Sequence, residues 1–317
     1  MTNRSLVLLS GEGTSLPEAE ARALFLAYDP GSKFESPERR VLLVESEADP
    51  LLVSSRIAFA RRVGLLIGEP IDAAPKVKGK KVRLRNFDLV TKARLDPGRF
   101  LRGVDAEVDL VDPDYEFTLV RGDREYLALT MPGRMRQAWS SRRPRARPFF
   151  HPSAIFPKLS RALVNLSRCR AGDLFLDPFA GTGSLALEAA LVGARAVALD
   201  QVAKMTWGSL ANMKHFRQEW LGVVRADAFH APLTEVDAMA TDVPYGRASS
   251  TRGRDERDTM QQSLSALPGL LRKGSRLVLM HAQRTRAEGS QDLALEEEHD
   301  LYVHKLLTRT ITVLRRR

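Results

Sequence analysis

The chain has 317 residues, 44% hydrophobic and 28% charged, a globular composition long enough for two or three domains with buried cores. No run of about 18 apolar residues is free of charge, the N-terminal MTNRSLVLLSGEG is too short and lacks the cleavage site of a signal peptide, and the lone Cys169 excludes an internal disulfide or a multi-cysteine zinc site. A soluble protein of the reducing cytoplasm is therefore expected, without metal because the six histidines show no ligand spacing, and the net charge of +10 points to a polyanionic partner.

Ser5–Leu9 reads as a short strand, 16–26 as an amphipathic helix with acids near its start, and 41–44 as a second strand. Residues 51–67 (LLVSSRIAFARRVGLLI) read as one long helix ended by Gly68 and Pro70. A basic cluster follows in 71–87, with Lys76, Lys78, Lys80, Lys81, Arg83 and Arg85. Residues 106–130 predict three short strands turned at 112–114 and 122–123.

From Leu127 to Gly172 there is no Asp or Glu but ten Lys and Arg, so the excess positive charge is concentrated there. Arg142, Arg143, Arg145 and Arg147 sit in the middle of this span, as expected of a surface that tracks phosphates. Residues 132–150 have no sustained period and several prolines, which predicts a linker.

Beyond the linker the pattern alternates. Helices are expected near 157–168, 184–193, 202–216 and 257–271. Strands are expected near 174–176, 195–199, 222–226, 236–241, 275–281 and 308–314. Such alternation implies an open, mainly parallel sheet with helices on both faces.

Two segments carry chemistry. Residues 174–183 (LFLDPFAGTG) place Asp177 at a strand's C-terminal end, where such sheets bind ligands, and Gly181 and Gly183 ahead of a helix whose free N–H groups suit a carboxylate. The glycine spacing also fits a dinucleotide fingerprint ending at Ala186. The Asp-Pro-Phe lead-in favours S-adenosylmethionine. Asp200 follows at the next strand end, where an acid grips ribose hydroxyls, and Asp227 at the one after, where it can hold an adenine amine. In 241–247 (TDVPYGR), Asp242 and the carbonyls of Val243 and Pro244 can accept both hydrogens of a planar amine, turning its lone pair towards an electrophile. Tyr245 offers a stacking face for the base, and Gly246 a tight exit. The pairing points to methylation of a base amine. An adenine-amine methyltransferase and a non-catalytic RNA-binding module are the rival readings, and a dinucleotide oxidoreductase is disfavoured because no hydride-transfer site is evident.

The run from His151 to Leu166, then LDPFAGTG, then 198–213 (ALDQVAKMTWGSLANM), then TDVPYGR resembles the archaeal and eukaryotic tRNA guanosine-10 N2-methyltransferases, which are THUMP-domain enzymes. Residues 304–313 are similar to that family's closing hairpin, and 82–150 to a THUMP domain. The resemblance implies a ferredoxin-like domain over 1–53, a THUMP domain over 54–137, a linker over 138–150 and a Rossmann-like methyltransferase domain over 151–317, its mostly parallel sheet closed by an antiparallel hairpin. It places Asp177, Ala180, Gly181, Thr182, Gly183, Asp200, Asp227 and Ala228 against the cofactor, with His151 and Ser153 at its methionine end. Asp242, Pro244 and Tyr245 fall on the base, and the basic cluster and the four arginines on tRNA. It brings in a small zinc-binding activator subunit, with which some members work. It leaves open one or two methyl groups, and a related enzyme type that modifies guanosine 6. Where the family has Asp-Pro-Pro-Tyr, this chain has Val243, which loses rigidity and gains an N–H.

Overall fold

The computed structural model describes residues 2–12, 15–68, 80–90, 106–130, 139–218, 220–244, 256–283, 285, 287, 289–304 and 307–317. They form two compact units, residues 1–13 with 24–137 and residues 14–23 with 138–317.

In the first unit, β1 (Asn3–Leu9), β2 (Lys33–Glu38), β3 (Val41–Ser46), β4 (Ala60–Gly68), β5 (Lys81–Asp88), β6 (Glu107–Val108), β7 (Tyr115–Arg121) and β8 (Glu125–Thr130) make one sheet. Its strand order is β2-β3-β1-β4-β8-β7-β5-β6, antiparallel except where β5 meets β6 and β7. β4 joins its two halves, pairing with β1 on one side and β8 on the other. The boundary expected at residue 53 thus falls where a single sheet runs on.

The long helix expected over 51–67 is instead a short helix followed by β4. Helix α1 spans Leu16–Tyr28 and α2 spans Pro50–Arg56. Asp49 caps α2 by accepting from the Leu51 amide, Pro50 opens it, and the chain turns extended at Ile57. An apolar run of this kind carries both periods. The decision falls to the edges of β1 and β8, whose backbone groups need partners. Gly64 marks how close the strands come, since a Cβ there would stand 2.5 Å from the Leu129 carbonyl oxygen. The charged strands β2 and β5 had no counterpart in the sequence expectation. On this sheet Glu116 is buried and paired with Arg62, Arg83 and Arg85.

The second unit has β9 (Leu174–Asp177), β10 (Arg195–Asp200), β11 (Gly222–Arg225), β12 (Ala238–Asp242), β13 (Arg276–Ala282), β14 (Leu293–His304) and β15 (Leu307–Arg316), ordered β11-β10-β9-β12-β13-β15-β14. The first five are parallel, and β15 runs antiparallel to both β13 and β14. This is the expected Rossmann-like sheet with its closing hairpin. Helices α3 (Pro157–Leu166), α4 (Ser184–Leu191), α5 (Ala203–His215) and α6 (Glu256–Ala266) accompany it. The last expected helix ends early, as a 3-10 turn over Leu267–Leu270 with Pro268 in it. The acid-rich β14 was not expected. The chain steps outward from β9 to β11, then returns to β12 on the other side of β9. That reversal opens a crevice at the C-terminal ends of β9 and β12.

Residues 139–150, expected as a linker, are packed into this unit. Glu188 of α4 is fully buried, with Arg142 Nε 2.7 Å from one carboxylate oxygen and Arg161 Nη2 2.7 Å from the other. Arg147 donates to Ser184 Oγ at 2.6 Å and to the Arg142 carbonyl at 2.9 Å. Residues 14–23 also belong here, and Asn165 of α3 donates to Glu20 at 2.6 Å, both fully buried.

Candidate active site

The buried apolar strand β9 delivers Asp177 to the crevice. Its Oδ1 accepts from Thr241 Oγ1 at 2.7 Å and from the Phe179 amide at 3.3 Å. Burial pushes this carboxyl up to about 7, helped by the Asp242 and Asp200 charges and opposed by those two hydrogen bonds. Gly181 and Gly183 follow with φ of 50° and 78°. At Gly183 glycine is favoured twice over, by the left-handed φ and by a Cβ that would lie 2.3 Å from Ser209 Oγ. Helix α4 starts at Ser184 with no side-chain cap for its first amides, and Ser184 and Leu185 of that first turn line the cavity in the crevice.

Strand β10 delivers Asp200, which accepts from Gly181 N at 3.0 Å and Val202 N at 2.8 Å. Burial raises its pKa while those amides lower it. Beyond β11, Asp227 caps a 3-10 turn over Ala228–His230 by accepting from Phe229 N at 3.1 Å. The rings of Phe229 and Phe179 meet edge to face with centroids 5.8 Å apart. His151 and Ser153 bond to each other at 2.7 Å.

Strand β12 delivers Asp242. Both carboxylate oxygens are held by Arg309 of β15, Nη1 reaching Oδ2 at 2.9 Å and Nη2 reaching Oδ1. Burial pushes the Asp242 carboxyl up, and the Arg309 charge and hydrogen bonds oppose it. Val243 donates its N–H to the Met280 carbonyl at 2.9 Å, so pairing between β12 and β13 continues one residue past Asp242. The N–H that replaces the family's proline is therefore used, and Val243 is buried in the core.

One cavity of about 780 Å³ gathers these groups. His151 and Ser153 line it, as do Asp177, Ala180, Gly181 and Thr182, then Asp200, Asp227 and Ala228, and finally Asp242 and Pro244. Gly183 stands behind the wall as the backbone pivot. Tyr245 and Gly246 lie outside the described residues. The lining also includes Phe179, the aromatic of the Asp-Pro-Phe lead-in, and Met205, Phe229 and Thr259, which sequence reasoning did not single out. Phe179 and Phe229 each adjoin a motif residue, but only folding puts their rings together. The cavity fits a molecule with an aromatic base, hydroxyls and an amino-acid end: two phenyl rings, acids at successive strand ends and a helix N-terminus.

The basic residues divide. Arg143 and Arg145 are exposed, with Arg145 stacked over the Phe150 ring at 5.8 Å. Arg142 and Arg147 correct the expectation, since both are buried in the contacts to Glu188 and Ser184 described above. Burial lowers the Arg147 pKa to about 10. Lys80 is exposed, Lys81 pairs with Asp109 at 3.1 Å, and Arg83 is committed to Glu116. Lys76 and Lys78 lie outside the described residues. Among the described residues no group of three or more His, Cys, Asp or Glu is placed to hold a metal, and no helix is long and apolar enough to cross a membrane.

Residues 144–309 match the family model described as RMKL-like, methyltransferase domain. The chain is 31% identical to a tRNA (guanine(10)-N2)-dimethyltransferase of Methanothermobacter thermautotrophicus, over 98% of this chain and 99% of that one. It is 26% identical to the protein of the same description from Methanocaldococcus jannaschii, again over 98% and 99%. Its fold is similar to the crystal structure of TrmN from Thermus thermophilus, with a TM-score of 0.53 and 22% identity over 99% of this chain and 100% of that one.

Proposed function

The chain belongs to the tRNA (guanine(10)-N2)-dimethyltransferase family, and from this premise we propose that it methylates the N2 amine of guanosine 10 in tRNA with S-adenosylmethionine as donor. One observation carries the reading: Asp242 at the end of β12 and the glycine turn after β9 line the same cavity. When bound, the cofactor supplies an electrophilic methyl group on a sulfonium. Asp200 is suited to its ribose hydroxyls, Asp227 with Phe229 to its adenine, and His151, Ser153 and the start of α4 to its methionine end.

The guanine amine is a weak nucleophile because its lone pair is delocalised into the ring. Asp242 and the backbone carbonyls after it accept the amine hydrogens and turn the lone pair towards the methyl group. Asp242 would take one amine proton as the nitrogen receives the methyl group that the bound cofactor supplies, and would pass that proton on to solvent. Tyr245 stacks on the base, and a THUMP domain within the N-terminal unit holds the tRNA, together with Arg143, Arg145, Lys80 and Lys81. A small zinc-binding activator and a cytoplasmic setting accompany this reading.

The test is methyl transfer from labelled S-adenosylmethionine into tRNA transcripts, followed by nucleoside mass spectrometry. N2-methylguanosine and N2-dimethylguanosine at position 10 are expected. Asp242→Asn should lose transfer by about 100-fold or more while binding the cofactor normally. Product at guanosine 6, or on an adenine amine, would refute the assignment. tRNA binding without turnover would favour the non-catalytic alternative.

A further inference from the structure

Arg309 lies 67 positions from Asp242 and reaches it across the sheet. On β13, Met280 stands opposite Asp242 and Ala282 stands opposite Arg309. The guanidinium thus comes from the C-terminal rim of the sheet, over the end of β13, and lands bidentate on the carboxylate. Both partners are largely withdrawn from solvent, with side-chain exposures of 8% for Arg309 and 17% for Asp242.

We propose that Arg309 is a positioning residue for the methyl acceptor: it fixes Asp242 as an oriented carboxylate whose remaining lone pairs receive the target amine. The proposal rests on the reading of Asp242 given above. A carboxylate has about four acceptor positions, and a planar guanidinium fork fills two of them while locking the plane of the group. The other two stay available on the cavity side. A protonated Asp242 would present a donor to the amine and fail.

Burial pushes Asp242 that way. Of the titratable groups nearby, Asp177 on β9 is itself raised, in part by the Asp242 charge. His281 on β13 has its ring nitrogens occupied by the Ala282 carbonyl and Thr312 Oγ1. Among the described residues Arg309 is the cation that meets Asp242 and opposes the effect of burial. Removing it should therefore change both the orientation and the protonation of the acid, without touching the cofactor end of the cavity.

The experiment compares the parent with Arg309→Lys and Arg309→Met. At saturating tRNA and cofactor, kcat is followed against pH. Arg309→Met should lose about 100-fold near neutral pH, and its acid limb should move up by at least about one pH unit. Arg309→Lys, keeping the charge but not the fork, should restore most of the limb position and only part of the rate. Binding of S-adenosylhomocysteine should stay within about threefold in both. The Asp242 carboxyl carbon, assigned with Asp242→Asn, is titrated by NMR as a readout independent of turnover, and it should titrate higher in Arg309→Met. An unmoved limb and an unmoved carboxyl titration would overturn the proposal, even with a lowered rate. If the parent transfers no methyl to guanine, the functional reading fails while the carboxyl titration still decides whether Arg309 sets the state of Asp242. Should Arg309→Met not fold, Arg309→Gln, which keeps a hydrogen-bond donor but removes the charge, takes its place with the same two readouts and the same expected upward shifts.

Discussion

Asp177 carries a prediction at the scale of a single residue. Its carboxyl is raised from 3.8 to about 7 by burial, and the unfolded chain has no such environment. The folded state therefore holds a proton that the unfolded state releases. Its contribution to stability is fully present below about pH 4 and is lost as pH rises through about 7. Asp177→Asn keeps the shape and removes the titration, so its urea midpoint should decline less than the parent's between those limits; parallel curves would contradict the shift. Asp177, Gly183 and Asp242 were legible in the sequence because each belongs to a short run whose chemistry is local. Arg309 and Thr241 were not legible in their roles. Arg309 acquires its role from a partner 67 positions away and Thr241 from one 64 positions away, and only the sheet brings them together.

Elements were readable where one period dominated, as in α4 and in the parallel strands β9, β10 and β12. They were misread where an apolar run suited two periods, or where charges on a strand hid it. β5 hides its alternation among Lys81, Arg83 and Arg85, and the two arginines pair with the single carboxylate of Glu116, which sequence alone does not reveal. Gly64 tests the reassignment of 51–67 by the sign of an effect. In a helix interior, Gly64→Ala would stabilise by roughly 1 kcal/mol. In β4 the new methyl meets the Leu129 carbonyl and Thr130 Cγ2 at 2.5 and 2.6 Å, so the substitution should destabilise by about 1–3 kcal/mol in denaturant unfolding. A stabilised variant would reinstate the helix.

Across the whole molecule, the excess of positive charge proves to be of two kinds. Arg143 and Arg145 face solvent, whereas Arg142 and Arg147 are interior. Composition cannot separate them, because the acid that recruits Arg142 lies 46 positions on, at Glu188. Replacing Arg143 and Arg145 together by Gln should weaken tRNA binding and reduce the slope of log affinity against log salt by about 1.5, with stability unchanged. Arg142→Met should leave the salt slope alone and cost about 3 kcal/mol of stability, since Glu188 stays buried with one cation fewer. Salt titration of binding and thermal unfolding of both variants distinguish the two roles, and a reversed pattern would refute the division.

The Glu188 network also decides where the molecule can be cut. A truncation beginning at residue 151, the boundary that composition suggests, would strip Arg142 from Glu188 and Arg147 from Ser184. Beginning at residue 144, where the match to the methyltransferase-domain model starts, would still discard Arg142. A start ahead of Trp139, whose ring lies 5.0 Å from the Arg142 guanidinium, keeps this network but still parts Asn165 from Glu20, so a catalytic fragment also needs residues 14–23 supplied.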